Sequence, residues 1–144
     1  MVLFDVCVLL NAYFAAAEHH RLCRDAVEEV LDGGSRFAVL DQILSSVLRV
    51  ATHPKIFRPP AETADLFAFL NLLRGHEHAV VLSPAQRHWT IFEDLVEANH
   101  VRGADITDAW LAAGAMEHGC ELWTTDAGFD RFAGLRVRNL LRTT

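Results

Sequence analysis

The sequence predicts an α/β fold: a three-layer α/β/α sandwich with a mostly parallel central sheet. Short apolar runs alternate with amphipathic stretches along the chain, as expected where helices connect parallel strands. The opening stretch, residues 1–10, is apolar except for Asp5, which favours a strand buried on both faces at the start of the chain. The length of 144 residues suits one domain, which we expect to span residues 1–144.

Residues that start or stop helices define the remaining elements. Residues 19–31 carry apolar side chains at the i, i+3, i+4 spacing of an amphipathic helix and precede Gly33. Asp41 is predicted to cap one helix, and Ser83 with Pro84 to open another. The predicted helices are 6–17, 19–31, 41–51, 61–74, 83–99 and one that starts at 105 or 107 and ends at 118, with a short helix or turn at 126–132. The predicted later strands are 36–40, 79–82, 120–124 and 135–137.

Composition and charge narrow the class of function. The formal net charge of −6 argues against broad nonspecific nucleic-acid binding, which needs a basic face, but suits an acidic pocket neutralised by divalent ions. No apolar run is long enough to span a bilayer, and the N-terminus lacks the basic region and cleavage site of a secretory signal. The three cysteines have no metal-like spacing and are predicted to be buried, reduced residues. We therefore expect a cytoplasmic protein with no membrane partner.

Three aspartates are predicted to lie at one edge of the sheet. Asp5 and Asp126 each follow a strand, and Asp108 lies in the first turn of a helix. Ligands of parallel sheets bind beyond the carboxyl ends of the strands, where these carboxylates would meet. Close carboxylates repel unless a cation holds them together, and oxygen ligands favour Mg²⁺ or Mn²⁺. The alternative is that each aspartate is only a helix cap.

The motifs around these aspartates resemble those of PIN-domain ribonucleases, in particular the VapC toxins of bacterial toxin–antitoxin pairs. The resemblance rests on Asp5 in its apolar strand and on residues 103–113 and 122–129. Residues 46–57 also resemble a stretch found in one VapC subgroup. The resemblance implies a PIN-like fold, Mg²⁺-dependent cleavage of RNA, a cognate antitoxin protein as partner, and a homodimer.

The resemblance also implies roles for individual residues. Asp5, Asp108 and Asp126 match the metal-site aspartates of the family, and Thr124 matches a hydroxyl residue that accompanies the last of them. Bound ions would neutralise the charge that develops on the phosphodiester and favour deprotonation of the attacking water. Thr124 is expected to position Asp126 by a hydrogen bond.

Two departures from the family pattern bear on the site. The family has a glutamate on the helix after the second strand, and its place falls near Ser45 and Ser46. We expect Asp105, three residues before Asp108, to point into the pocket as a ligand or base and restore this charge, although it also suits a helix N-cap. Asp41 is a less favoured substitute. The second departure is Cys7, which replaces the family's asparagine and predicts that Asp5 loses a polar partner.

Two surfaces are predicted to bind partners. One locally basic stretch is expected to hold RNA phosphates, although a solvated loop explains it equally well. Its residues are Arg49, His53, Lys55 and Arg58. Surplus apolar residues on the first helix suit an antitoxin helix or a second copy of the chain, unless they belong to the protein's own core. They are Leu9, Leu10, Tyr13 and Phe14.

These inferences predict a Mg²⁺-dependent endoribonuclease that acts as the toxin of a toxin–antitoxin pair. A catalytically weak PIN-like module that binds RNA or protein is the main alternative, because the family's glutamate and asparagine are both missing. A phosphatase or receiver domain with Asp5 as covalent nucleophile is less favoured, since Cys7 stands where such phosphatases carry a second aspartate.

Overall fold

Five parallel strands form the central sheet of the computed structural model, which describes residues 1–142. They are β1 (Val2–Phe4), β2 (Phe37–Leu40), β3 (Ala79–Leu82), β4 (Glu121–Thr124) and β5 (Arg136–Asn139), in the spatial order β3-β2-β1-β4-β5. In the centre of the sheet, Leu3 pairs with Ala38 on one side and with Leu122 on the other. The predicted fold class is confirmed, and the sheet is parallel throughout the described residues.

Six α-helices within residues 1–142 connect and flank these strands. They are α1 (Val6–Tyr13), α2 (His20–Asp32), α3 (Asp41–Ala51), α4 (Thr63–Arg74), α5 (His88–Asn99) and α6 (Ile106–Glu117). Two short 3₁₀ helices, Gly103–Asp105 and Ala127–Arg131, precede α6 and follow β4. Along the chain, β2 and then β3 extend the sheet on one side of β1. The next strands, β4 and then β5, extend it on the other side. The crevice between the carboxyl ends of β1 and β4 is therefore a topological switch point.

The core lies between the sheet and the helices on its faces. β1 and β2 are apolar along their length because both faces of a parallel sheet are covered, and Leu3, Phe37 and Leu122 are fully buried. On α6, short side chains allow the helix to pack closely on its neighbours. These are Ala109, Ala112, Ala113 and Ala115, each 0% exposed.

The structure corrects the predicted start of α5. Ser83 and Pro84 do not open this helix, which begins at His88. The carboxylate of Glu117 accepts hydrogen bonds from the backbone N–H groups of Ala85 at 2.8 Å and Arg87 at 2.9 Å. These bonds hold the segment before α5 as a loop against the end of α6.

Two other local predictions are wrong. The first helix ends at Tyr13, four residues before its predicted end, because Phe14 has an extended backbone. Asp41 is the first residue of α3 but makes no capping bond; its carboxylate instead accepts from Arg74 of α4 at 2.7 and 3.1 Å. In the part of the chain that the structure describes, no helix has the length and apolar character needed to cross a membrane.

Candidate active site

A crevice of about 370 Å³ lies at the switch point between β1 and β4. Asp5, Asp108 and Asp126 all line it, so the three aspartates expected to converge do share one site. Ser46 and Arg49 of α3 line the same crevice. The structure therefore places a serine in the wall where the family's additional acid was expected.

Asp5 joins the end of β1 to the start of α1. Its backbone N–H donates to Trp123 O at 2.9 Å, which extends the pairing of β1 with β4 by one residue. Its Oδ1 accepts from the backbone N–H of Val6 at 2.7 Å, so Asp5 is also the N-cap of α1. The side chain is only 5% exposed, and burial raises the pKa of its carboxyl above the ordinary value. Both carboxylate oxygens accept hydrogen bonds, Oδ1 from the Val6 backbone and Oδ2 from the Thr124 hydroxyl.

Cys7 is a polar partner of Asp5, contrary to the prediction that the partner is lost. Its Sγ donates to Asp5 Oδ2 at 3.1 Å and accepts from the backbone N–H of Thr125 at 3.5 Å. Burial, followed by the charge of Asp5, raises the pKa of the Cys7 thiol to about 11. The thiol is therefore protonated at neutral pH and remains a donor.

Thr124 links the two strand-end aspartates. It is fully buried, and its hydroxyl donates to Asp5 Oδ2 at 2.7 Å while accepting from the backbone N–H of Asp126 at 3.0 Å. The expected hydrogen bond to Asp126 is present through the backbone of that residue. The same hydroxyl also orients the Asp5 carboxylate, which the sequence did not predict.

Asp126 caps the short 3₁₀ helix that follows β4. Its Oδ1 accepts from the backbone N–H of Gly128 at 2.8 Å. A Cβ at position 128 would lie 3.1 Å from the same oxygen, so a glycine allows the close approach of this carboxylate. Asp5 and Asp126 thus combine a capping role with a place in the crevice, and the two interpretations of these residues do not exclude each other.

Asp108 carries the clearest electrostatic sign that the carboxylates are close. It lies in the first turn of α6, and its side chain is 31% exposed. Burial, then the negative charges of Asp5 and Asp126, raise the pKa of its carboxyl from 3.8 to about 6. The crevice therefore favours uptake of positive charge, either as a proton or as a cation.

Asp105 lies outside the wall of the crevice. It ends the 3₁₀ helix Gly103–Asp105 and takes the N-cap position of α6, as the alternative interpretation allowed, but its side chain makes no capping hydrogen bond. Its Oδ2 lies 3.4 Å from Nη1 of Arg131, and its charge contributes to the raised pKa of Asp108. A role for Asp105 at a metal stays a prediction. Asp41 does not replace the missing acid, since its carboxylate is bonded to Arg74 on the surface.

Arg131 is a residue of this region that the sequence analysis missed. Its Nη2 lies 3.5 Å from Asp108 Oδ2, and its other terminal nitrogen contacts Asp105. Its one signal in the sequence is that it is the first Lys or Arg after Arg102, five residues beyond Asp126. Nothing in that spacing predicts which carboxylates it meets.

Of the four predicted RNA-binding residues, Arg49 lines the crevice. The other three lie in the loop after α3 and bond locally. His53 Nδ1 accepts from the backbone N–H of Lys55 at 3.1 Å, and Arg58 Nε donates to Pro54 O at 3.3 Å. Their contact with RNA stays a prediction.

The donor chemistry of the crevice fits a hard divalent cation, because its acidic groups are all carboxylates. Each carboxylate oxygen has two lone pairs, so the capping bonds of Asp5 and Asp126 leave acceptor capacity for a metal. Within residues 1–142, however, no group of three or more His, Cys, Asp or Glu side chains is gathered tightly enough to hold a metal as it stands. Binding would therefore need side-chain movement, and a cation would relieve the repulsion between Asp108 and its two neighbouring carboxylates.

A smaller cavity of about 90 Å³ lies one turn further along α6. Its walls include His88, Trp110 and Gly114, and Leu111 separates it from the crevice. His88 is buried, and neither ring nitrogen has a hydrogen-bond partner among the described residues. Burial lowers the pKa of His88, so the ring is neutral at neutral pH. The carboxylates that suit phosphodiester chemistry lie in the larger crevice.

The sequence matches the family model of the PIN domain over residues 2–135. The chain belongs to the PIN-domain family. It is 35% identical to ribonuclease VapC25 of Mycobacterium tuberculosis over 136 residues, covering 94% of this chain and 96% of the relative. It is 33% identical to ribonuclease VapC43 of the same species over 141 residues, covering 98% and 96%. The predicted resemblance to VapC ribonucleases is confirmed.

Two solved structures share this PIN-domain fold at low sequence identity. One is VapBC2 from Rickettsia felis bound to a promoter DNA fragment, with a TM-score of 0.69, 12% identity, and coverage of 96% of this chain and 98% of the other. The second is VapBC-1 from nontypeable Haemophilus influenzae, with a TM-score of 0.68, 14% identity, and coverage of 99% and 100%. At these identities the likeness establishes the fold.

Proposed function

We propose that this PIN domain is a Mg²⁺-dependent endoribonuclease that hydrolyses RNA phosphodiester bonds as the toxin of a toxin–antitoxin pair. The observation that carries the proposal is the shared crevice of Asp5, Asp108 and Asp126, with the pKa of Asp108 raised to about 6. Relatives named VapC ribonucleases, matched over nearly the whole chain, support the same activity.

The residues in and around the crevice have different roles in the proposed site. Asp5, Asp108 and Asp126 would hold Mg²⁺ or Mn²⁺, which would supply positive charge against the developing charge of the phosphodiester. Thr124 and Cys7 fix the orientation of Asp5 through their bonds to Oδ2. Arg49 lies in the crevice wall, where its guanidinium suits a phosphate of the bound strand. Asp105 at the rim adds negative charge near Asp108.

The antitoxin is proposed to bind a groove of about 500 Å³ formed by α1, α2 and α4. Tyr13, Leu31, Phe69 and Leu72 line this groove, and Leu72 is 68% exposed. A groove of this kind suits the apolar face of an amphipathic helix. Of the four apolar residues predicted for this surface, only Tyr13 lines the groove. Leu9 is buried in the protein's own core, Leu10 lines the active-site crevice, and Phe14 stacks on Phe57. The solved VapBC structures that share the fold support a partner of this kind.

A second copy of the chain is proposed to bind at a different surface. Trp89 on α5 is 62% exposed and lies edge-on to Phe92 and Trp110. Exposed aromatic clusters are typical of protein interfaces. Sedimentation of wild type and Trp89→Ser tests the proposal: wild type should be a dimer, and the variant should shift toward monomer.

RNA cleavage by the purified protein tests the enzymatic proposal. A panel of single-stranded and structured RNAs is incubated with Mg²⁺ or with EDTA, using wild type, Asp108→Asn and the surface control Asp94→Asn on α5. We expect wild type and Asp94→Asn to cut at least one RNA with Mg²⁺ only, and Asp108→Asn to lose at least tenfold in rate. Equal cleavage by Asp108→Asn, or cleavage that persists in EDTA, would contradict the proposal.

One observation favours a second candidate, a catalytically weak PIN-like module that binds RNA or protein. Ser46 lines the crevice in the position where the family's glutamate was expected, which removes one acid from the site. This candidate predicts RNA binding without cleavage at any Mg²⁺ concentration. The same RNA panel separates the two candidates.

A further inference from the structure

Arg131 is held between two carboxylates at the rim of the crevice. Its Nη1 lies 3.4 Å from Asp105 Oδ2, and its Nη2 lies 3.5 Å from Asp108 Oδ2. The guanidinium carbon lies 4.9 Å from the ring centroid of Phe132, a buried residue that supports it from below. Arg131 therefore presents one positive charge to the acidic group that would receive a metal.

The contacts of Arg131 differ from those of a structural arginine in the same protein. Arg74 directs two nitrogens to the single carboxylate of Asp41 at 2.7 and 3.1 Å, in the bidentate geometry of a tight pair. Arg131 divides its terminal nitrogens between two acids at longer distances, and its side chain is 33% exposed. Long, divided contacts at a solvent-accessible site are weak, so redirecting this guanidinium costs little.

We propose that Arg131 is a phosphate-binding residue that alternates between two partners. Without a divalent cation it neutralises Asp105 and Asp108; when Asp108 turns to the cation, the guanidinium is released to bind a phosphate oxygen of the RNA. The planar guanidinium matches the oxygens of a phosphate in bidentate geometry, and it lies beside the site where that phosphate would be cut. This inference rests on the proposed function and adds a residue that binds its substrate.

The alternative is that Arg131 only fastens the 3₁₀ helix Ala127–Arg131 to the start of α6. In that case its loss would lower stability and leave ion and RNA binding unchanged. The chain offers a matched control in Arg142, which pairs with Asp130 of the same 3₁₀ helix, whereas Arg131 pairs with Asp108 of the crevice wall.

The first readout is Mn²⁺ affinity in the absence of RNA, measured by calorimetry on wild type, Arg131→Gln and Arg142→Gln. Removing a cation that competes for Asp108 should tighten Mn²⁺ binding several-fold in Arg131→Gln. Arg142→Gln should bind Mn²⁺ as wild type does. Unchanged or weaker Mn²⁺ binding by Arg131→Gln would overturn the proposal.

The second readout is the affinity for a fluorescent single-stranded RNA of mixed sequence, measured by anisotropy in Ca²⁺ with the RNA checked for integrity. Arg131→Gln should lose about tenfold in affinity, and the slope of log affinity against log salt should fall by about 0.7, the value for one phosphate contact on a single strand. Arg131→Lys should recover the slope because it keeps the charge. RNA affinity and slope equal to wild type in Arg131→Gln would overturn the phosphate contact.

Both readouts remain measurable if wild type cuts no RNA. A protein that shows the Mn²⁺ and RNA-binding changes without cleavage would refute the proposed enzymatic function while supporting the role of Arg131. A protein that cuts RNA with Mg²⁺ but shows neither change in Arg131→Gln would refute the role of Arg131 alone.

Discussion

Replacing Asp108 by asparagine should stabilise the metal-free protein, although it should abolish the proposed activity. The pKa of Asp108 rises from 3.8 to about 6 on folding, so the folded protein prefers the protonated carboxyl. At pH values above both of these pKa values, the carboxylate is ionised in the folded protein and lowers the free energy of unfolding. Asparagine keeps the shape of the side chain and carries no charge to be repelled.

The magnitude follows from the size of that shift. A change of about 2 pKa units corresponds to roughly 3 kcal/mol at 1.36 kcal/mol per unit. The Asp108 side chain is 31% exposed, and screening by solvent reduces this figure to about 1–2 kcal/mol. The destabilisation should develop as the pH rises from 3.8 to about 6 and be constant above that range.

Urea denaturation in EDTA, followed by tryptophan fluorescence, measures this difference. At pH 7.5 the free energy of unfolding of Asp108→Asn should exceed that of wild type by about 1–2 kcal/mol, and near pH 4 the difference should be largely lost. Asp94→Asn, on the exposed face of α5, is the control and should match wild type at both pH values. Adding Mg²⁺ should stabilise wild type more than Asp108→Asn.

Two results would refute this reasoning. One is an Asp108→Asn protein that is no more stable than wild type at pH 7.5 in EDTA. The other is a gain in stability of the same size near pH 4, which would show that the charge of Asp108 is not its cause.

Substitutions at three other positions have defined outcomes. Thr124→Val removes a buried donor to Asp5 and should lower the free energy of unfolding by about 1–3 kcal/mol in urea denaturation, whereas Thr124→Ser should stay near wild type. Cys7→Ala removes the thiol donor to Asp5 and should reduce Mg²⁺-dependent cleavage, and Cys7→Asn should retain more activity because the amide can donate; equal rates would show that this bond is dispensable. Asp105→Asn should leave thermal stability nearly unchanged but lower Mg²⁺-dependent cleavage by about tenfold, comparable to other disturbances of metal shells; an unchanged rate would remove Asp105 from the site.

Local pattern was sufficient to predict most of the fold. The bounds of α3 and β3 agree with the prediction because each is a periodic or apolar run that ends at a clear helix or loop signal. The three aspartates could be placed together because parallel strands direct their carboxyl ends to one edge of the sheet. These inferences depend on neighbouring residues and on a general rule for such sheets.

The errors come from contacts between residues far apart in the sequence. Glu117 determines where α5 begins by bonding the loop some thirty residues earlier. The carboxylate of Asp41 accepts a hydrogen bond from Arg74 instead of capping α3. Arg131 meets Asp105 and Asp108 only because the segment after β4 folds against α6. None of these pairings has a signature in local spacing.

The wrong prediction for Cys7 has a different cause, the hydrogen-bonding ability of the cysteine side chain. Replacing an asparagine by a cysteine suggested the loss of a polar partner, because buried cysteines are usually treated as small apolar residues. In the structure its thiol stays protonated and donates to Asp5. Position 7 therefore supplies a hydrogen bond to Asp5 although a cysteine replaces the family's asparagine.

Mn²⁺ binding to the crevice tests the central claim most directly, because the shared carboxylates are the basis of the proposed chemistry. The measurement is Mn²⁺ affinity by electron paramagnetic resonance for wild type, Asp126→Asn and Asp130→Asn. The two variants alter carboxylates of the same short segment, and only Asp126 lines the crevice. We expect Asp130→Asn to bind Mn²⁺ as wild type does and Asp126→Asn to lose at least tenfold in affinity. Equal affinity in all three proteins would contradict the claim that this crevice is the metal site.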